Sequence, residues 1–141
     1  MSAAREIANL RSIPTDGNIL LDYTAGDALT ASSGTCNIAA GLNALGAATT
    51  GDDNVAIGRL ALGAGVTTGG SNIAFGQSAL GGVTTGQADD NIAIGTDALR
   101  GAAGTSGNDN IAIGQASADA LTTGACNIAL GKNALVASTT G

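Results

Sequence analysis

Apolar and polar residues follow one another in a short pattern that recurs along most of the chain. The pattern is nine residues long: Asn, three apolar residues, Gly, two variable residues, then Ala and Leu, as in Asn91–Leu99. Copies, two of them imperfect, begin at Asn18, Asn37, Asn54, Asn72, Asn91, Asn110 and Asn127. Successive Asn residues are therefore 19, 17, 18, 19, 19 and 17 residues apart. A period this regular is typical of stacked repeat architectures.

Within each repeat, the three residues after the Asn alternate between large and small apolar side chains. In Ile92-Ala93-Ile94 the period of two predicts a β-strand whose two Ile side chains face one way and whose Ala faces the other. The glycine that follows predicts a bend that ends the strand. These glycines are Gly41, Gly58, Gly76, Gly95, Gly114 and Gly131. The variation in length lies between the Leu and the next Asn, often at Thr-Thr-Gly, which predicts a turn and an outward loop.

One repeat then forms one coil, and residues 18–141 form a single all-β domain. The predicted fold is a parallel β-solenoid, or β-roll, of about seven 17–19-residue coils. At a strand spacing of roughly 4.8 Å, seven coils make a rod about 34 Å long.

Residues 1–17 stand outside the repeats. Ile7 and Leu10 fall at helical spacing, and Pro14 would stop a helix, which predicts a short N-terminal helix or arm. One interpretation is an attachment segment whose contacts are made by Ile7 and Leu10. The other is a frayed terminus.

The repeats also predict self-association. The two Ile and the Leu of each coil are expected to fill the interior, which leaves Ala93 and its equivalents on a second, flat apolar face. Such a face on a soluble rod is best explained by burial against further copies. Three faces meeting on a threefold axis would bury all of them, so we expect a homotrimer.

Composition narrows the possible functions. The chain has 23 Gly, one Phe, one Tyr, and no Trp or His, but its Ile and Leu keep fixed repeat positions, which argues against disorder. The net charge is −6 with no basic stripe, so no nucleic-acid partner is expected. No apolar run is long enough to span a membrane or to act as a signal peptide, which predicts assembly in a cytoplasm.

The chemistry available to the chain predicts no catalytic residue, no cofactor and no metal site. The usual general base is missing because there is no His. Asp52-Asp53 fits a solvated turn, and Asp90 and Asp109 would stack in neighbouring coils, where solvation is favoured over a bound cation. Cys36 and Cys126 share one repeat position and are expected to be buried thiols, too many coils apart for a disulfide.

The Asn that opens each repeat has two possible roles. Stacked Asn side chains can form a ladder of hydrogen bonds along parallel coils. Alternatively, each Asn could occupy a turn with left-handed backbone, where Gly would replace it better than Ala. The residues concerned are Asn37, Asn54, Asn72, Asn91, Asn110 and Asn127.

The repeat resembles those of two related groups of proteins. Its Asn-Ile-Ala-Ile-Gly core is similar to the head repeats of trimeric autotransporter adhesins, which form a left-handed parallel β-roll in a tight trimer. With Ala-Leu and Thr-Thr-Gly at the same period, over residues 18–141, it is more similar to virion fibre proteins of tailed phages.

The phage resemblance implies a non-enzymatic structural protein on the virion surface, as a trimeric capsid decoration, a head fibre or a tail fibre. Its expected partners are two further copies and other virion proteins, bound through residues 1–17, with a host cell-surface receptor as a further candidate. The alternatives are an adhesin head fragment and an ice-binding solenoid. Neighbouring Thr residues point to opposite sides of a strand, which disfavours the flat Thr array that ice binding uses.

Overall fold

A computed structural model describes residues 16–29, 34–48, 50–63, 66–82, 85–86, 88–101, 107–137 and 140. These residues form short β-strands joined by turns, and no helix occurs among them. The strands are β1 (Ile19–Leu21), β2 (Ile38–Ala40), β3 (Val55–Ile57), β4 (Val66–Thr67), β5 (Ile73–Phe75), β6 (Thr85–Gly86), β7 (Ile92–Ile94), β8 (Ile111–Ile113) and β9 (Ile128–Leu130). The predicted N-terminal helix or arm lies outside the described residues, apart from residues 16 and 17.

Seven of the strands form one parallel sheet in the order β1-β2-β3-β5-β7-β8-β9. The same three repeat positions pair at every step, as in Ile92 with Ile111 and Ala93 with Ala112. The predicted all-β parallel solenoid is therefore confirmed. Because each coil places one strand in the sheet, insertions between repeats leave the register unchanged.

A second, two-stranded parallel sheet joins β4 to β6. The sequence predicted turns for this Thr-Thr-Gly region, so these two strands were missed. Val66 and Thr67 are both β-branched and pair with Thr85 and Gly86 of the next coil. Stacking of successive coils thus extends pairing beyond the main sheet.

The predicted orientation of the main strands is wrong. Ala93, the middle residue of β7, is completely buried, whereas its neighbours Ile92 and Ile94 are both partly exposed. The same inversion holds along the sheet, since the middle residues Ala39, Ala56, Ala74, Ala112 and Ala129 are all buried. The interior of the coil already contains a buried Ala and Leu from the far side of each turn, such as Ala79 and Leu80. Only a small side chain fits opposite them.

The tight coil depends on backbone in the left-handed region, where φ is positive. In one coil these residues include Asp90, Gly95, Asp97 and Leu99, with φ of 59°, 129°, 57° and 48°. A Leu with such a φ is uncommon and strained. Here the bend turns Leu99 into the core, where burial of the side chain offsets the strain.

The first and sixth repeats fill the core in different ways. In the first, Leu20 replaces the middle Ala of the strand, while Gly26 stands where later repeats have Leu. A Cβ on Gly26 would lie 2.8 Å from the Leu20 Cδ2 atom, so the Leu20 side chain occupies the space that Gly26 leaves. In the sixth, Ala118 takes the Leu position and Leu121, three residues later, is buried instead.

This exchange in the first repeat can be tested by reversing it. Leu20→Ala alone is expected to cost about 2–5 kcal/mol, the usual range for a buried Leu. Gly26→Leu alone overpacks the same space. The double variant restores the arrangement of the other repeats, where Leu45 holds a φ of 52° at this position, and should recover most of the loss. Urea denaturation of the four proteins gives the coupling, and additive effects would show that the two residues do not share one space.

Candidate functional site

The outer side of the seven-stranded sheet is a continuous apolar surface, which we call the apolar face. It consists of the first and third residues of each strand: Ile19, Leu21, Ile38, Ala40, Val55, Ile57, Ile73, Phe75, Ile92, Ile94, Ile111, Ile113, Ile128 and Leu130. Exposure reaches 52% at Phe75 and 68% at Ile128. Sequence reasoning missed this surface because it assigned the Ile residues to the interior.

The dimensions of the apolar face follow from sheet geometry. Seven strands at roughly 4.8 Å make it about 34 Å long, and side chains two residues apart make its two columns about 7 Å apart. It is a narrow strip made only of apolar side chains. Contiguous exposed patches of this kind mark sites of association with another apolar surface.

The two long borders of the apolar face differ in chemistry. The residue before each Asn forms what we call the acidic border; all of its members are exposed, and they are Gly17, Cys36, Asp53, Ser71, Asp90, Asp109 and Cys126. Two residues after each strand lies the opposite border, which we call the cationic border; its members, also exposed, are Tyr23, Leu42, Arg59, Gln77, Thr96, Gln115 and Lys132. One border therefore carries only anionic charge and the other only cationic charge.

The two cysteines lie on the acidic border. Cys36 and Cys126 are free and exposed, so the prediction of buried thiols is wrong. Both have left-handed backbone, with φ of 57° and 59°. This turn directs the residue before each Asn outward, whereas the Asn itself points into the coil.

The Asn residues form a hydrogen-bonded ladder through the rod. The backbone N–H of Asn91 donates to Oδ1 of Asn72 (3.0 Å), and Oδ1 of Asn91 accepts from the N–H of Asn110 (3.0 Å). The Asn91 side-chain amide also donates to the Gly107 carbonyl (3.0 Å). Equivalent backbone-to-side-chain bonds link Asn18, Asn37, Asn54, Asn72, Asn91, Asn110 and Asn127. All but Asn127 are buried, which gives the column a structural role.

The glycines after the strands form a second column. Their φ values range from 109° at Gly131 to 132° at Gly76. A Cβ on Gly95 would lie 2.7 Å from the carbonyl oxygen of Gly114, the equivalent residue of the next coil. Backbone conformation and close approach therefore both require Gly in this column.

Two carboxylates in the turns between repeats, those of Asp52 and Asp89, are bound to backbone. Oδ1 of Asp52 accepts from the N–H of Thr35 (2.6 Å), and Oδ1 of Asp89 accepts from the N–H of Gly70 (2.8 Å). Both bonds connect neighbouring coils, so they form a partial second ladder that the sequence analysis missed. Within the described ranges, no three His, Cys, Asp or Glu residues are grouped as metal ligands.

Asp22 stands where the later repeats have the glycine. Its Oδ1 accepts hydrogen bonds from the Thr24 backbone N–H (3.0 Å) and the Thr24 hydroxyl (2.8 Å). These bonds, the backbone one first, lower the pKa of Asp22 against the opposing effect of desolvation. Since the folded-state pKa is lowered, their stabilising effect is present above the ordinary carboxyl pKa and is lost as the pH falls through the lowered value.

Arg100 lies between two carboxylates of adjacent coils. Its guanidinium is 3.5 Å from Asp97 and 3.4 Å from Asp119. All three side chains are partly exposed, so these ion pairs contribute little to stability.

The predicted attachment residues Ile7 and Leu10 lie outside the described residues. The described residues contain no helical segment that could span a membrane. Comparison of the chain with protein-family models, curated proteins and solved structures finds no match. The function of the chain is therefore inferred from the apolar face and its two borders of opposite charge.

Proposed function

We propose that this chain is a non-enzymatic structural protein whose apolar face joins three copies into a homotrimeric rod. The observation that carries the proposal is the apolar face itself. Its 14 positions run without interruption through all seven strands of the main sheet. Burial of this strip against other copies would remove a continuous apolar surface from water.

The narrow shape of the strip supports a trimer over a dimer. A strip about 34 Å long with columns about 7 Å apart covers only a few hundred Å². Two such strips face to face bury less than the roughly 1,200–2,000 Å² of a stable interface. In a closed ring, each chain contacts two neighbours, and both borders add contact area.

We place the rod on the surface of a tailed-phage virion, as a capsid decoration, a head fibre or a tail fibre. The support for this placement is the resemblance of the repeat, in particular Ala-Leu and Thr-Thr-Gly at a period of 17–19 residues. The adhesin-head alternative rests on the same core motif without these additions. For ice binding there is less support, because the apolar face contains no Thr.

Light scattering tests the homotrimer directly. The purified protein should have three times the 13.3 kDa mass of one chain. Ile94→Lys places a charge on the apolar face and should give monomers or aggregates, whereas Gln115→Lys, on the cationic border, should leave the trimer intact. A stable, folded wild-type monomer at micromolar concentration would contradict the proposal.

Attachment to particles is a separate prediction. Residues 1–17 are proposed to dock the rod on other virion proteins, and three identical arms would bind by avidity. Deletion of residues 2–13 should leave a folded trimer that no longer incorporates into particles, as judged by imaging of assembled virions. Normal occupancy of the truncated protein would show that attachment runs through the repeats.

A further inference from the structure

We propose that the acidic border of one copy contacts the cationic border of the next copy at the same coil, so that the native cysteines lie at the seams between copies. The inference rests on the homotrimer proposed above and adds which surfaces meet, and in which register. The occupant of each border is a second copy of this chain.

Charge selects the pairing of borders. Asp53, Asp90 and Asp109 are exposed on the acidic border, and Arg59 and Lys132 are exposed on the cationic border. Within the described residues, Arg59 and Lys132 have no ion pair. Antiparallel packing, with rods related by a twofold axis across them, would place carboxylates of one border against those of the same border. Packing around an axis parallel to the rods places carboxylates against cations.

Symmetry then fixes the register. Rotation about an axis parallel to the rod moves each copy around the axis but not along it, which is the condition for a closed ring. Equivalent coils of all copies therefore lie at one height. Asp53 and Arg59 belong to the same repeat, so each Arg59 faces Asp53 of a neighbour. Lys132 belongs to the repeat after that of Asp109, so in the trimer it lies roughly 4.8 Å along the rod from the Asp109 of a neighbour.

Cys36 and Cys126 allow this arrangement to be tested by disulfide formation between copies. Each is exposed on the acidic border, and the cationic-border residues of the same repeats are Leu42 and Lys132. In the proposed trimer, Cys36 of one copy faces Leu42 of the next. A cysteine at position 42 would then come within the short Cα distance that a disulfide needs, about 4.4–6.8 Å.

The experiment is disulfide cross-linking of the full chain under mild oxidation. Leu42→Cys is made with Cys126→Ser, and Lys132→Cys with Cys36→Ser; Ser71 already occupies the equivalent position in another repeat. Thr96→Cys with Cys126→Ser is the control, because Thr96 lies three repeats, or roughly 14 Å, from the level of Cys36. We expect covalent dimers and trimers on non-reducing gels for at least one same-repeat pair and none for the control.

Light scattering of each variant separates the two proposals. The proposed contact between the two borders is wrong if the protein is trimeric but neither same-repeat pair cross-links. It is also wrong if Thr96→Cys cross-links as efficiently as the same-repeat pairs do. In both cases the homotrimer stands. If the wild-type protein is monomeric, the homotrimer fails and the seam with it. A disulfide within one chain would leave the band at the monomer mass, and this result also counts against the seam.

Discussion

Gly95→Val is expected to lower the free energy of unfolding of the rod by roughly 2–6 kcal/mol, because two effects add at this position. About 1–3 kcal/mol comes from forcing a β-branched residue to a φ of 129°, and about 1–3 from overpacking against the Gly114 carbonyl. Thr96→Val, at an exposed neighbour, should change stability by about 0.5 kcal/mol or less. Thermal denaturation followed by circular dichroism measures both.

Gly131→Val separates the two contributions. Gly131 has a φ of 109°, but a Cβ there would meet no atom within 4 Å, because it is the last glycine of the column. This variant should carry the backbone strain without the overpacking and should be clearly less destabilised than Gly95→Val. Equal losses for Gly95→Val and Thr96→Val would show that neither effect limits stability.

Asn91→Ala is expected to cost a similar amount, roughly 2–6 kcal/mol, without changing the shape of the rod. The substitution leaves the buried Asn110 N–H without its acceptor and the partly buried Gly107 carbonyl without its donor, and an unsatisfied buried group costs about 1–3 kcal/mol. Asn127→Ala is the matched control, since Asn127 is the last rung and is only half-buried. Denaturant unfolding with the circular dichroism spectrum of the native state tests both stability and shape.

The turn hypothesis for the Asn column makes an opposite prediction. A left-handed Asn would be replaced well by Gly, but at this turn the left-handed residue is Asp90, with a φ of 59°, and not Asn91. Asp90→Gly should therefore be tolerated, and Asn91→Gly should be as harmful as Asn91→Ala. Full stability of Asn91→Gly would rule out the ladder as a stabilising element.

The period of the sequence was enough to predict the main parallel sheet and its register, because every strand of that sheet begins one residue after an Asn. The direction of each side chain was not predictable in the same way. Alternation in Ile92-Ala93-Ile94 shows which residues share a face, but not which face is inside. Which face is inside depends on the width of the coil, and the left-handed backbone at Asp97 and Leu99 sets this width. A left-handed backbone at a Leu cannot be predicted from the residue type.

The misassignment of the cysteines has the same origin. Cys36 was expected to be buried because thiols are small and apolar, yet its φ of 57° turns it outward. The apolar face was hidden from sequence reasoning for a related reason, since large aliphatic residues are ordinarily placed in the core. Sequence reasoning reached the idea of a self-associating face through Ala93, whereas the face that the structure exposes is formed by Ile92, Ile94 and their equivalents.

The ladder of Asn residues has a consequence for how such a rod can evolve. Each inner Asn accepts hydrogen bonds from the Asn of the repeat that follows and donates to the Asn of the repeat before, so every repeat ends with the same bonding pattern with which it began. Duplication or loss of a whole repeat at the gene level would add or remove one rung and leave all other rungs unchanged. The reach of the rod can therefore be tuned in increments of roughly 4.8 Å, independently of what its borders bind.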